Sequence, residues 1–263
     1  MISQLLLDNL YRRYNRPEFI HPDPLEFLSR YPDVRDREIV GLIASALAYG
    51  RVAQILRSVD IILRKKGRSP YDFVRRSTGH SLTDLFDGFK HRFTTHEHIV
   101  SLILDIRKIL LKYGSLNECF VAGLKTSDST LVPALTGFAA HFACCGDHLI
   151  PDPARGSACK RLCLYLRWMV RKDAVDPGGW QGISRSRLII PLDTHMARIG
   201  KTWKLTGRRT PDMRMALEIT EAFREFSPAD PVRYDFALTR FGIRRELSLP
   251  ELLGPEEREI TQR

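Results

Sequence analysis

Residues 153–172, PARGSACKRLCLYLRWMVRK, combine a tight turn with a basic helix pattern. The proline and the glycine near the start predict the turn, and the apolar spacing that follows predicts a helix over 159–172. At about 100° per residue, Lys160, Arg167 and Arg171 share one narrow face of this helix, and apolar residues line another. The stretch therefore predicts a helix that packs on one side and presents cations on the other.

The residues alone leave two interpretations of this cationic face open. A row of cations on a helix is often only solvated, but it can also follow a phosphate backbone. Arginine, which dominates the row, suits phosphate geometry, and the turn at 153–158 can present free backbone N–H groups to an anion. These two features favour a phosphate contact.

Helical periodicity continues outward from this stretch and predicts an all-α chain of about a dozen helices, because strand signals are scarce. We expect a single domain over residues 1–263 in two helical lobes. Composition indicates a linker at 146–153, a loop insertion at 173–187 and a flexible tail at 248–263. Asp36 is the predicted N-cap of the third helix. The predicted helices are 1–13, 24–31, 36–49, 52–66, 70–76, 81–86, 96–113, 115–122, 131–143, 159–172, 194–203, 211–226 and 231–241.

A second informative stretch, LIIPL at residues 188–192, is apolar and leads directly into Asp193. Asp193 immediately precedes a predicted helix, so an N-cap role alone would explain it. A carboxylate delivered to a helix start after a basic helix can also act as a general base or stabilise a developing charge. Both interpretations stay open at this point.

The overall charge is strongly positive, with 41 Lys and Arg against 31 Asp and Glu and a formal net charge of +10. Such a balance is typical of proteins that bind nucleic acid or an anionic membrane surface, although some proteins are simply basic. The chain has no run of 18 apolar residues, and its five cysteines do not form a paired pattern. We therefore expect no membrane span, no disulfide framework and a cytoplasmic location.

The order of residues 156–161 (GSACKR) and 191–198 (PLDTHMAR) resembles the helix-hairpin-helix (HhH-GPD) DNA glycosylase superfamily. That superfamily carries a glycine-rich hairpin ending in G-x-G-x-K, then a helix and a V-D-T-H-x-x-R element. Its lysine falls on Lys160 and its aspartate on Asp193. Further matches are Thr194, His195, Arg198 and the two helical segments at 212–226 and 230–242.

Over residues 20–245 the whole chain resembles the bacterial family DUF2400. The resemblance implies a two-lobed helical fold with the active site between the lobes and with the hairpin and catalytic region at about 150–200. The stretches that carry it are 46–51 (ALAYGR), 91–93 (HRF), 159–161 (CKR), 166–171 (LRWMVR) and 191–195 (PLDTH).

Two departures from the superfamily pattern refine this resemblance. Ala158 stands where the hairpin has its second glycine, so we expect the turn to differ in shape there. Lys160 and Asp193 are 33 residues apart, a long interval that resembles the archaeal 8-oxoguanine glycosylases rather than endonuclease III. No cysteine follows Cys163, so we expect no iron–sulfur cluster.

The resemblance implies a base-excision repair enzyme that is both a DNA glycosylase and an AP lyase. Lys160 would attack C1′ of a flipped nucleotide and form a Schiff base, Asp193 would accept a proton or stabilise positive charge, and β-elimination would cut the strand. The expected lesion is an oxidised purine, with 8-oxoguanine first. Residues expected at the DNA are Arg155, Gly156, Ser157, Ala158, Arg161, Arg167, Arg171, His195 and Arg198.

The expected base pocket contains Tyr49, Gly50, Arg51 and Trp180, although simple packing would also explain the two aromatic residues. The resemblance further implies a monomer that acts on double-stranded DNA in the bacterial cytoplasm, in association with the nucleoid. Catalysis would need no metal or other cofactor, and a hairpin of this kind can hold a structural monovalent cation.

Two other functions fit part of the pattern. A non-catalytic DNA-binding protein would keep the hairpin, but it would have no need for lysine rather than arginine at position 160. A monofunctional glycosylase for an alkylated base would use Asp193 alone.

Overall fold

The computed structural model describes residues 2–65, 67–142, 145–146, 148–244, 246–247 and 252. Helices dominate, which confirms the expected all-α class. The predicted flexible tail at 248–263 lies, apart from Leu252, outside the described residues. The α-helices are α1 Gln4–Tyr14, α2 Val34–Ala46, α3 Val52–Arg64, α4 Pro70–Arg76, α5 Gly79–Phe86, α6 His96–Tyr113, α7 Leu116–Ala122, α8 Val132–Ala139, α9 Lys160–Val170, α10 Thr194–Thr202, α11 Met213–Phe226 and α12 Asp235–Ile243.

Short 3-10 segments and one small hairpin connect these helices. The hairpin pairs β1 Lys90–His91 with β2 Thr94–Thr95 in antiparallel register. The sequence did not predict it, because two-residue strands are too short to show an alternating pattern. The 3-10 segments are Pro17–Phe19, Pro24–Arg30, Ala140–Phe142, Pro153–Arg155 and Arg185–Arg187.

Helix boundaries follow local capping chemistry. The bounds of α6 agree with the prediction of 96–113, because Gly114 at φ 89° ends the helix where the pattern stops. The predicted cap of α2 was wrong. Asp33 caps this helix by accepting a hydrogen bond from the Arg35 N–H at 2.8 Å. Asp36 instead accepts from the Tyr71 N–H at 2.8 Å, and so it supports the start of α4.

Helix α2 runs through the middle of the molecule. Its residues from position 38 to 46 are all buried, and it packs against α9, α4 and the Pro24–Arg30 segment. Its contact with α9 is close, since a Cβ at Gly41 would lie 3.2 Å from Tyr165 Cε2. A helix that is apolar on nearly every side is expected at such a central position. Among the described residues, no helix is long and apolar enough to cross a membrane.

Glu38 of α2 is an ionisable group buried in this core. Glu38 is 1% exposed, and its carboxylate accepts hydrogen bonds from the Leu116 N–H at 2.9 Å and the Asn117 N–H at 3.1 Å. It thereby ties the start of α7 to α2. Burial raises the pKa of Glu38 to about 7 despite these donors.

The raised pKa of Glu38 predicts a pH-dependent stability. The folded protein keeps the proton up to about pH 7, whereas the ordinary value is 4.5, so stability is fully present below pH 4.5 and is lost as pH rises towards 7. We expect the free energy of unfolding to fall by up to ~3 kcal/mol relative to the Glu38→Gln variant across this interval. Urea unfolding at a series of pH values measures the difference, and parallel profiles for the two proteins would contradict it.

Candidate active site

Lys160 and Asp193 meet although 33 residues separate them. Lys160 is the first residue of α9, and Asp193 is the N-cap of α10. Lys160 Nζ lies 3.8 Å from Asp193 Oδ2, and the two side chains are 35% and 13% exposed. Asp193 Oδ1 accepts a hydrogen bond from the Met196 N–H at 2.8 Å. The carboxylate therefore caps the helix with one oxygen and faces the lysine with the other.

This pair lies in a cleft of about 1310 Å³. Segments from both ends of the chain form its walls: the start of Pro24–Arg30, the link between α2 and α3, α9, α10 and α12. Predicted site residues that line the cleft are Tyr49, Gly50, Lys160, Arg161, Arg167, Asp193, His195 and Arg198. Sequence motifs that lie far apart in the chain therefore line the same cleft.

Tyr49 lines the cleft, and contacts with the hairpin and with Arg161 hold its side chain in place. Its hydroxyl donates to the His91 carbonyl oxygen at 3.0 Å, and it lies 2.6 Å from Thr94 Oγ1. The Arg161 guanidinium lies 5.2 Å from the centroid of the Tyr49 ring. The hairpin and α9 therefore fix the orientation of this ring.

The prediction that Arg161 contacts the DNA needs correction. Its Nη1 donates to the carbonyl oxygens of Ala46, at 3.0 Å, and of His148. Burial lowers the pKa of Arg161, as expected for a guanidinium withdrawn from solvent. Arg161 joins α9 to the end of α2, and its charged group is occupied inside the protein.

The predictions for Arg167 and Arg171 were also wrong, because both side chains are only 2% exposed. Arg167 bonds Asp176 and Asp235, and Arg171 bonds Asp230, Asp176 and Asp173. Burial alone would lower the pKa of Arg171, but the carboxylates outweigh burial and raise it. We call these residues, with Arg240 and its partner Asp23, the buried ion network. Because carboxylates neutralise these guanidinium groups inside the protein, Arg167 and Arg171 do not form the cationic surface that the helical wheel predicted.

Loss of one partner from the buried ion network should destabilise the fold. Arg167→Met removes the cation that Asp235 bonds and leaves Asp176 to Arg171, and we expect a loss of about 3–5 kcal/mol in the free energy of unfolding. The control is Arg214→Met on α11, an exposed position where a change within ~0.5 kcal/mol is expected. Urea unfolding provides both numbers. A loss below ~1 kcal/mol for Arg167→Met would argue against the network as a stabilising element.

Trp180 does not belong to the cleft, which corrects another prediction. It is 4% exposed, and its Nε1–H donates to Glu38 Oε2 at 2.9 Å. Its ring packs edge-on against Tyr165 at 5.0 Å between centroids. The insertion at 173–187 thus seals the core with Trp180 and contributes Asp173 and Asp176 to the buried ion network.

The other predicted residues lie around the cleft rather than in it. Arg51 is exposed beside Gly50 but does not line the cavity. The turn before Lys160 is also at the surface, with Gly156 at φ 80° and Ser157 bridged to Asp212. Arg155, Gly156 and Ser157 are exposed, and Ala158 is half-buried.

His195 is held against the backbone of α12. A Cβ built on Gly242 would lie 2.1 Å from His195 Nδ1, so only glycine leaves room for the ring in this position. Both residues line the cleft. The contact fixes the start of α10, and therefore Asp193, relative to α12.

This contact predicts that an alanine at Gly242 destabilises the protein, whereas an alanine at the uncrowded helix position Gly137 stabilises it. Gly242→Ala should lower the free energy of unfolding by ~1–3 kcal/mol because the ring must move. Gly137→Ala, in a helix with no atom within 4 Å of the new Cβ, should raise it by ~0.5–1 kcal/mol. Adding His195→Ala to Gly242→Ala should restore most of the loss. An equal loss with and without the histidine would contradict the contact.

Sequence reasoning missed several charged residues of the cleft, which are Asp23, Lys201, Lys204, Asp235 and Arg240. Asp235 is 1% exposed, and its Oδ1 has no hydrogen-bond partner among the described residues. Burial raises the pKa of Asp235 to about 6, Arg167 opposes this, and the charge of Asp193 adds to it. The segment 230–242 was noticed as a helix, but its acidic residues carried no recognisable motif.

The arrangement defines an all-helical protein with an amine and a carboxylate facing each other in a cleft. The sequence profile of the family described as "Protein of unknown function (DUF2400)" matches residues 23–244, and the chain belongs to this family. Neither the curated proteins nor the solved structures contain a match to the chain.

The side chains and the turn before α9 can be compared with what a bound metal ion would need. Among the described residues, no three His, Cys, Asp or Glu side chains are grouped to hold a metal ion. In the turn before α9, the Gly156 carbonyl accepts from the Met213 N–H at 3.3 Å and the Cys159 carbonyl from the Cys163 N–H at 3.0 Å. Each of these two oxygens accepts one backbone hydrogen bond and keeps a second lone pair, and the proposed reaction uses no cation at this turn.

Proposed function

We propose that this protein is a DNA glycosylase with AP lyase activity that removes an oxidised purine from double-stranded DNA. The observation that carries the proposal is the 3.8 Å separation of Lys160 Nζ and Asp193 Oδ2 in the cleft. We also infer that the helices on either side of this cleft correspond to the two lobes of the HhH-GPD fold.

The two groups have complementary roles in the proposed reaction. With Lys160 neutral, the Nζ lone pair attacks C1′, and the glycosidic bond breaks with its electron pair leaving on the base. Asp193 Oδ2 takes the proton that Nζ releases, while the base takes up a proton as it departs. The C1′–O4′ bond then breaks with its electron pair on O4′, O4′ takes the proton held by Asp193, and the opened sugar forms a Schiff base between C1′ and Nζ. Loss of a C2′ proton then expels the 3′ phosphate and cuts the strand.

The cleft has the size and charge that this substrate requires. At about 1310 Å³ it exceeds the usual range of small-molecule pockets, about 300–1000 Å³, so a flipped nucleotide fits with part of its backbone. Arg198, Lys201 and Lys204 line it and favour a polyanion, as does the net charge of +10. The choice of an oxidised purine, with 8-oxoguanine first, rests on the 33-residue interval between Lys160 and Asp193.

A panel of duplexes, each with one defined lesion, tests the proposal. We expect excision and strand cleavage of a duplex containing 8-oxoguanine, with a covalent adduct when borohydride is present. Lys160→Gln should abolish the adduct, and Asp193→Asn should lower the single-turnover rate by at least ~100-fold. The matched control is Lys172→Gln, since Lys172 is exposed just beyond α9 and outside the cleft.

Other results of the same panel would contradict the proposal in different ways. Excision of an alkylated base without an adduct would indicate a monofunctional glycosylase in which Asp193 acts alone. Binding of every duplex with no excision would indicate a non-catalytic DNA-binding protein.

A further inference from the structure

The tip of the small hairpin exposes an aromatic ring. Phe93 is 70% exposed, the highest fraction among the large apolar side chains of the described residues. It occupies the two-residue turn between β1 and β2, next to Arg92 at φ 52°. A single exposed apolar side chain is ordinary on a protein surface, so the role of Phe93 has to be judged from its setting.

The hairpin behind Phe93 is held firmly in place. His91 is fully buried, with Nδ1 2.9 Å from Ser58 Oγ and Nε2 3.1 Å from the Tyr49 carbonyl oxygen. On the other strand, Thr94 Oγ1 lies 2.6 Å from the Tyr49 hydroxyl and 3.1 Å from His148 Nε2. The turn is therefore an exposed tip on a buried and hydrogen-bonded base.

This tip stands beside the cleft. A Cβ on Gly50 would lie 2.8 Å from Arg92 Cδ, so the Arg92 side chain runs over Gly50, which lines the cavity. The Arg92 guanidinium lies 5.5 Å from the centroid of the Phe93 ring. The hairpin thus places a cation and an aromatic ring next to the wall that Tyr49 and Gly50 form.

The other strongly exposed apolar side chains have a different setting. Leu5 and Leu111 are 68% and 57% exposed, but they lie on the surfaces of α1 and α6. Phe93 does not itself line the cleft, but its neighbour Arg92 covers Gly50, which does. Phe93 differs because it is aromatic, stands on an anchored turn and has a cation beside it. These properties suit a base stack flanked by phosphates better than a general protein contact.

We propose that Phe93 inserts into the base stack of duplex DNA and fills the space left by the nucleotide that enters the cleft. Arg92 places its positive charge near the adjoining phosphates. This inference rests on the proposed function, since it assumes that a nucleotide leaves the stack at this cleft. It adds the residue that holds the duplex open.

The first test measures insertion without chemistry. Phe93→Trp is titrated with a duplex that contains a tetrahydrofuran abasic analogue, and the emission in excess of the wild-type protein is followed. Stacking on bases should quench this added emission at least twofold, whereas Leu111→Trp should show no change. Anisotropy of a labelled duplex reports binding in the same samples. Binding without quenching of the Phe93→Trp emission would overturn the insertion.

The second test separates insertion from catalysis. Phe93→Ala should lower single-turnover excision from a lesion duplex at least tenfold and leave excision from the same lesion in single-stranded DNA unchanged. Equal losses on both substrates, or no loss on the duplex, would overturn the proposal. Quenching of Phe93→Trp together with no excision by the wild-type protein would support insertion and refute the glycosylase. Excision by the wild-type protein together with unquenched Phe93→Trp emission would support the glycosylase and refute the insertion.

Discussion

A network of buried ion pairs between arginines and aspartates holds together the chain segments around the cleft. Arg167 and Arg171 lie at the far end of α9 from Lys160, and their carboxylate partners come from the insertion at 173–187 and from residues 230–235. Buried charges are tolerated only when they are paired, so these segments must assemble together. The direction of α9, and with it the position of Lys160, depends on this assembly.

Asp193 has a structural role that is compatible with the chemical role proposed for it. Asp193 caps α10 through Oδ1, which orients Oδ2 towards Lys160. The N-cap interpretation and the catalytic interpretation therefore do not exclude each other, because the cap supplies the orientation that chemistry needs. Asp235 also lines the cleft and is bonded to Arg167, so the buried ion network extends to the cleft wall.

Local patterns in the sequence were sufficient for most helices, whereas the pairing of Lys160 with Asp193 was expected only from the resemblance to the HhH-GPD superfamily. They failed for Arg167 and Arg171, because a helical wheel shows which residues share a face but not what covers that face. The covering acids come from segments up to 68 residues away, as with Arg167 and Asp235. Trp180 was misplaced for the same reason, since its partner Glu38 is 142 residues away. The hairpin that presents Phe93 was too short for any periodicity to reveal.

The site of covalent attachment tests the central role of Lys160 most directly. The wild-type protein is reduced with borohydride in the presence of an abasic-site duplex, digested, and analysed by mass spectrometry. We expect the sugar remnant on Lys160 Nζ and on no other amine. Attachment at a different lysine or at the N-terminal amine, or no attachment at all, would contradict the assignment of this cleft as a lyase centre.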